Sequence, residues 1–103
     1  MLKENNIEII NLEEINLTTL QIFFNVEWTM DDKTAVIDYV LQVTSAQTLE
    51  VLEGADLYCL RIKIANSVFL LNFEEYSHAC WIECATEQDK DDLEGVKQLL
   101  LIK

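Results

Sequence analysis

Residues 57–75 read LYCLRIKIANSVFLLNFEE: two apolar-rich runs, alternating with polar residues over Leu60–Ile64 and Leu71–Glu74, separated by the polar pair Asn66-Ser67. A period of two marks a strand with one buried face, and a short polar break between two such runs marks a hairpin. Strands are therefore expected over Leu57–Ala65 and Val68–Glu75. With Asn66-Ser67 as the turn, Ile64 pairs with Phe69, Ile62 with Leu71 and Leu60 with Phe73. That choice keeps the large apolar residues on one face, which is what specifies register in a half-buried sheet.

The same logic extends in both directions. Thr48–Glu53 and Cys80–Ala85 are further strand candidates, and the short connections make an antiparallel meander the default. A turn at Ala55-Asp56 sets Val51 beside Leu60 and Leu49 beside Ile62. A loop over Tyr76–Ala79 sets Phe73 beside Ile82 and Leu71 beside Cys84. The inner rows are then Val51–Leu60–Phe73–Ile82 and Leu49–Ile62–Leu71–Cys84. Ahead of these, Ile7–Leu12 and Leu20–Val26 read as strands, although a helix over Leu12–Phe24 competes because no Gly or Pro breaks it.

Two helices complete the pattern. Thr29 and Asp32 have the spacing of a capping box, and Val36, Ile37, Val40, Leu41 and Thr44 follow at helical spacing, so a helix is expected over Met30–Val43. Thr86 precedes the acids Glu87 and Asp89, which suit the positive end of a helix dipole. Leu93, Val96, Leu99 and Leu100 supply the buried side of that last helix, which Gly95 weakens by about 1 kcal/mol relative to Ala. The expected fold is α+β: a single domain with an antiparallel sheet (a four-stranded meander plus one or two N-terminal strands) and both helices packed on one face.

The stretch Ser77–Cys84, SHACWIEC, is where the chain looks most like a chemical site. Thiolates sharing a zinc ion lie within about 4 Å of each other, whereas residues four apart on a strand are separated by about 13 Å. The same separation excludes a Cys80–Cys84 disulfide. Cys84 falls on the inner face, where cysteine behaves as a small hydrophobe. Cys80 lies near His78 in sequence, but residues two apart across a strand start diverge, so a thiol–imidazole pair is not expected. No cofactor, metal or catalytic residue is assigned.

The outer face holds more. One expected row is Glu50, Arg61, Asn72 and Glu83, a cross-strand charge ladder or a small polar site. Beside it Leu52, Cys59, Leu70 and Trp81 project from the same face. A solvated face is normally polar, so a Trp among aliphatics and rimmed by acids has the composition of a contact surface. It is either that or a face covered by the N-terminal strands or a loop.

Charge narrows the choice of partners. Seven basic residues against 19 acidic ones give a formal −12. Nucleic acids and anionic membranes both select for Lys and Arg, so neither is an expected partner. No apolar run approaches the ~20 residues of a membrane span. The polar start MLKENN carries no signal-peptide core, and the three cysteines leave at least one thiol unpaired. Cytoplasmic residence with reduced thiols is the expectation.

The segment Leu71-Asn72-Phe73-Glu74-Glu75-Tyr76-Ser77, followed by Cys80-Trp81-Ile82-Glu83, resembles the second half of a functionally uncharacterised family of small acidic bacterial proteins, over residues 57–100. His78 and Ala79 depart from that family's more polar loop. The resemblance implies the fold and no activity. The expected role is non-enzymatic: a protein-interaction or self-associating module using its outer sheet face, with a protein partner or a homo-oligomer. The alternatives are an acidic inhibitor or immunity-type antagonist of a basic protein, and an enzyme using the Cys80/His78 region.

Overall fold

The computed structural model describes residues 7–101. Six strands form one antiparallel sheet: β1 (Ile9–Ile15), β2 (Thr19–Phe24), β3 (Gln47–Glu53), β4 (Leu57–Ile64), β5 (Ser67–Glu74) and β6 (Ala79–Cys84). Their order is β1-β2-β6-β5-β4-β3. The expected meander is therefore present, and both N-terminal segments are strands. They do not fold across the outer face; they extend the sheet sideways from β6, with Leu20 opposite Ile82 and Ile22 opposite Cys80.

Helix α1 (Thr34–Thr44) crosses from β2 to β3, and a 3-10 helix (Glu87–Asp92) leads into α2 (Leu93–Leu101). Val36, Ile37, Val40 and Thr44 of α1 and Leu93, Val96 and Leu100 of α2 are buried. Their apolar members join one core cluster with Leu20, Ile22, Leu60, Ile62, Phe69, Leu71, Phe73 and Ile82. Burial of each large side chain contributes about 1.5–3 kcal/mol. Both helices thus cover the same face, as the apolar spacing requires. Among the described residues no helix is long and apolar enough to cross a membrane.

Several expectations need correction. α1 begins at Thr34, not Met30, because Thr29 and Asp32 bond to each other through their backbones at 3.0 and 3.3 Å rather than capping a helix. Lys33 occupies the N-cap position without a side-chain cap; its Nζ donates to the Met30 carbonyl at 2.6 Å and sits 4.1 Å from the Tyr58 ring centroid. α1 ends on Ser45 in the left-handed region (φ 55°), with Ala46 N–H donating to the Leu41 carbonyl at 2.9 Å. After Thr86 the chain forms a 3-10 turn before α2, so the acids Glu87 and Asp89 lie on that turn rather than on the helix itself.

Two hairpins are displaced by two residues. The β4–β5 turn is Ala65-Asn66, with Ile64 opposite Ser67, so Ile62 faces Phe69, Leu60 faces Leu71 and Tyr58 faces Phe73. Ala65 carries the positive φ (56°) that lets so short a turn close. The β5–β6 loop is Glu75–His78, with His78 at φ 53°, which brings Phe73 opposite Cys80 and Leu71 opposite Ile82. A two-residue slip leaves every side chain on its own face. The expected inner and outer sets survive while the individual pairs change.

The β3–β4 register is as expected from Glu50 to Glu53, with Val51 opposite Leu60. A bulge between Thr48 and Glu50 then takes Leu49 out of its pairing, and Thr48 faces Ile62 instead. Leu49 and Val51 were expected under the helices, yet they are 40% and 45% exposed. With β1 and β2 added on the β6 side, the sheet is wider than two helices can roof. β3 is left overhanging.

Candidate interaction surface

The outer face is set by the pleat: Glu50 and Leu52 of β3, beyond its bulge, the even positions of β5 and the odd positions of β2, β4 and β6 point away from the helices. One observed row runs Glu50–Arg61–Leu70–Glu83–Thr19. Its neighbour runs Leu52–Cys59–Asn72–Trp81–Gln21. All eight residues singled out in the sequence therefore share this face, but β5 moves by one row: Leu70 takes the place expected for Asn72 beside Arg61, and Asn72 moves beside Cys59 and Trp81. The cause is the two-residue displacement of β5. Arg61 gains an aliphatic neighbour where an amide was expected, and Trp81 gains the amide.

This shift shapes the surface. Asn72 is buried in the middle of the face, and its Nδ2 donates to the Leu70 carbonyl at 3.3 Å. Trp81 is half-buried, and its indole N–H donates to Glu83 Oε1 at 2.6 Å, which draws the ring along its own strand. Cys59 is buried on this face and stands outside the core cluster. Its thiol is pushed above the ordinary range by burial, then by the Glu83 and Glu50 carboxylates. Arg61 reaches Glu50 only at 3.9 Å, with both side chains about half exposed, a pair worth little.

Phe23 and Leu57 also belong to the outer set, by register with Asn11 and Glu74. Sequence reading assigned neither. Their odd positions on β2 and β4 were the available signal, because Phe23 alternates with inward Ile22 and Phe24.

SHACWIEC is divided between three surroundings. Cys80 is almost wholly buried opposite Ile22 and Phe73, and that burial drives its pKa strongly upward. Cys84 faces Phe69, and its thiol is raised by burial and then by Asp89, Asp92 and Glu83. His78 turns away to a residue that the sequence did not single out. Its ring stacks on buried Trp28 at 4.3 Å and 18°, and Nε2 lies 2.5 Å from the Trp28 carbonyl. Trp28 in turn meets Phe73 edge-on at 5.2 Å and 87°. Among the described residues no three His, Cys, Asp or Glu side chains come together as a metal site.

The buried thiol has a consequence in alkali. A folded pKa above the unfolded 9.0 of Cys80 means that stability is intact below pH 9 and declines above it, by up to ~1.4 kcal/mol per pH unit. Urea denaturation between pH 8 and 10.5 should show this decline, and Cys80→Ala should lessen its slope. Identical slopes in the two proteins would show that Cys80 ionises freely in the fold.

No curated protein and no solved structure matches the chain. The resemblance read over residues 57–100 extends further, through both N-terminal strands. The model of a family described as a protein of unknown function (DUF3630) matches residues 10–100, and the chain belongs to that uncharacterised family.

Proposed function

We propose that this protein is a non-enzymatic interaction module that binds a partner protein through the outer face of its sheet. The observation that carries this reading is the one-sided roof. Both helices bury their apolar stripes on the inner face, while half-buried Trp81, Leu70, Val68 and Phe23 and exposed Leu52 lie on the other. An aromatic anchor among aliphatics, with Glu83 and Arg61 beside it, has the make-up of a contact patch. The raised pKa of each thiol keeps it protonated near neutrality, and a protonated thiol is a poor nucleophile.

Site-specific photo-crosslinking in cells tests the proposal. A benzoylphenylalanine at Val68 on the outer face should trap a discrete adduct, whereas one at exposed Gln42 on α1 should not. Trp81→Ala and Leu70→Asp should abolish the Val68 adduct. Burial of apolar area persists in salt, so the purified adduct pair should associate equally well at about 0.1 and 1 M salt. Steep loss with salt would favour the acidic-antagonist reading, and equal trapping from both faces would remove the outer face as the binding surface.

A further inference from the structure

The free edge of β3 differs from the face just described, because what it offers is backbone. All seven residues of β3 are exposed, and among the described residues the strand pairs on one side only, with β4. Gly54 N–H donates to the Leu57 carbonyl at 2.8 Å, so the Gly54–Leu57 pair is hydrogen-bonded across the hairpin. Antiparallel ladders alternate hydrogen-bonded and open pairs. Leu52 and Glu50 therefore bond to β4, while the N–H and C=O groups of Val51 and Glu53 point outward from the sheet. Natural edges are usually blunted by Lys, Pro, bulges or short strands. β3 has no Lys or Pro, and its bulge lies upstream, between Thr48 and Glu50. The run Glu50–Glu53 is left regular and open.

Its side chains state what would fit. Val51 is 45% and Leu52 49% exposed, on opposite faces, and exposed Glu50 and Glu53 flank them. The strand QTLEVLE contains no cation, so a second copy of β3 would add carboxylates to the edge without neutralising any. The chain's formal −12 adds to that repulsion. We propose that the Glu50–Glu53 edge receives an extended segment of a partner protein with the pattern basic–aliphatic–aliphatic–basic, adding it to the sheet as a seventh strand. The pattern reads the same in both chain directions, so parallel and antiparallel addition both set cations against Glu50 and Glu53 and aliphatics against Val51 and Leu52. Main-chain bonds give such a strand its affinity and the side chains its selection. The proposal uses the strand's edge and does not depend on the Trp81 face.

The test uses the full chain and a labelled ten-residue peptide centred on Lys-Val-Ile-Lys, with a Glu-Val-Ile-Glu peptide as control. The lysine peptide should bind saturably and the glutamate peptide about tenfold more weakly. Amide resonances of Val51 and Glu53 should shift and become protected from exchange. The double variant E50K/E53K, which leaves the backbone intact, should reverse the preference between the two peptides. Val51→Pro deletes an outward N–H that β4 does not use, so the fold should hold while binding is lost. Trp81→Ala should leave peptide binding unchanged. Absence of saturable binding overturns the proposal, as does binding that survives Val51→Pro with shifts gathered around Trp81, a result that would leave the outer-face reading standing. A free-protein dimer dispersed by Val51→Pro would mean that a second copy fills the edge, and would overturn it too.

Discussion

Phe73→Ala should cost about 3–5 kcal/mol, a large part of the 5–15 kcal/mol that holds a domain of this size together. Phe73 is wholly buried at the centre of the inner face, opposite Tyr58 on one side and Cys80 on the other. It is also the wall against which Trp28 packs edge-on at 5.2 Å, and Trp28 carries His78 stacked on its face. One truncation therefore opens a cavity and loosens the contact between the β5–β6 loop and the segment that follows β2. Denaturation curves for Phe73→Ala, Trp28→Ala and the double variant measure the coupling. The two losses should fall short of additive by about 0.5–1.5 kcal/mol, the worth of an aromatic pair beyond its area. His78→Ala should cost far less, because its ring lies at the surface end of the stack. A loss below about 1 kcal/mol for Phe73→Ala would show that the core collapses around the gap, contrary to the close packing of interiors.

The second large contrast lies between two adjacent residues. Ile82→Ala should destabilise the chain by about 2–5 kcal/mol, because Ile82 is fully buried between Leu20 and Leu71 on the inner face. Trp81→Ala, one residue earlier, should cost about 1 kcal/mol or less, since its half-buried ring lies on the other face and gives up one hydrogen bond to Glu83. Successive strand residues point to opposite faces, so the pair separates core from surface within one peptide unit. Matched urea curves decide it. Comparable losses would mean that the outer face is packed as tightly as the core, and the proposed contact surface would lose its basis.

Much of the fold was legible because strand alternation fixes parity. Leu60, Ile62, Leu71, Phe73 and Ile82 had to share a face whichever hairpin register applied, since a slip of two residues does not move a side chain across the sheet. The same reasoning placed Glu50, Leu52, Cys59, Arg61, Leu70, Asn72, Trp81 and Glu83 together on the outer face. Which of them became neighbours was not legible. That followed from the turns, where Ala65 and His78 adopt positive φ although neither is glycine, so no residue type announced the position. The bulge at Leu49 was equally silent, because Leu49 alternates with Val51 across Glu50 as an unbroken strand would.

The helices show the same division. The stripe Val36–Ile37–Val40–Thr44 determined that α1 would form and which side it would bury, because its spacing alone makes a helix amphipathic. Where α1 began was decided by Thr29 and Asp32 bonding to each other, an outcome that depends on the path of the chain after β2. The clasp of His78 on Trp28 spans fifty residues, a separation at which local patterns carry no information. By itself, then, the sequence determined the α+β class, the inner and outer faces and the acidic charge, all of which rest on local periodicity and composition. Only the tertiary structure decided that β1 and β2 would join beside β6, making the sheet wider than its two helices can cover. That width is what leaves inward-facing Val51 exposed on edge strand β3, because a buried stripe on two helices can shield only as many strands as it spans.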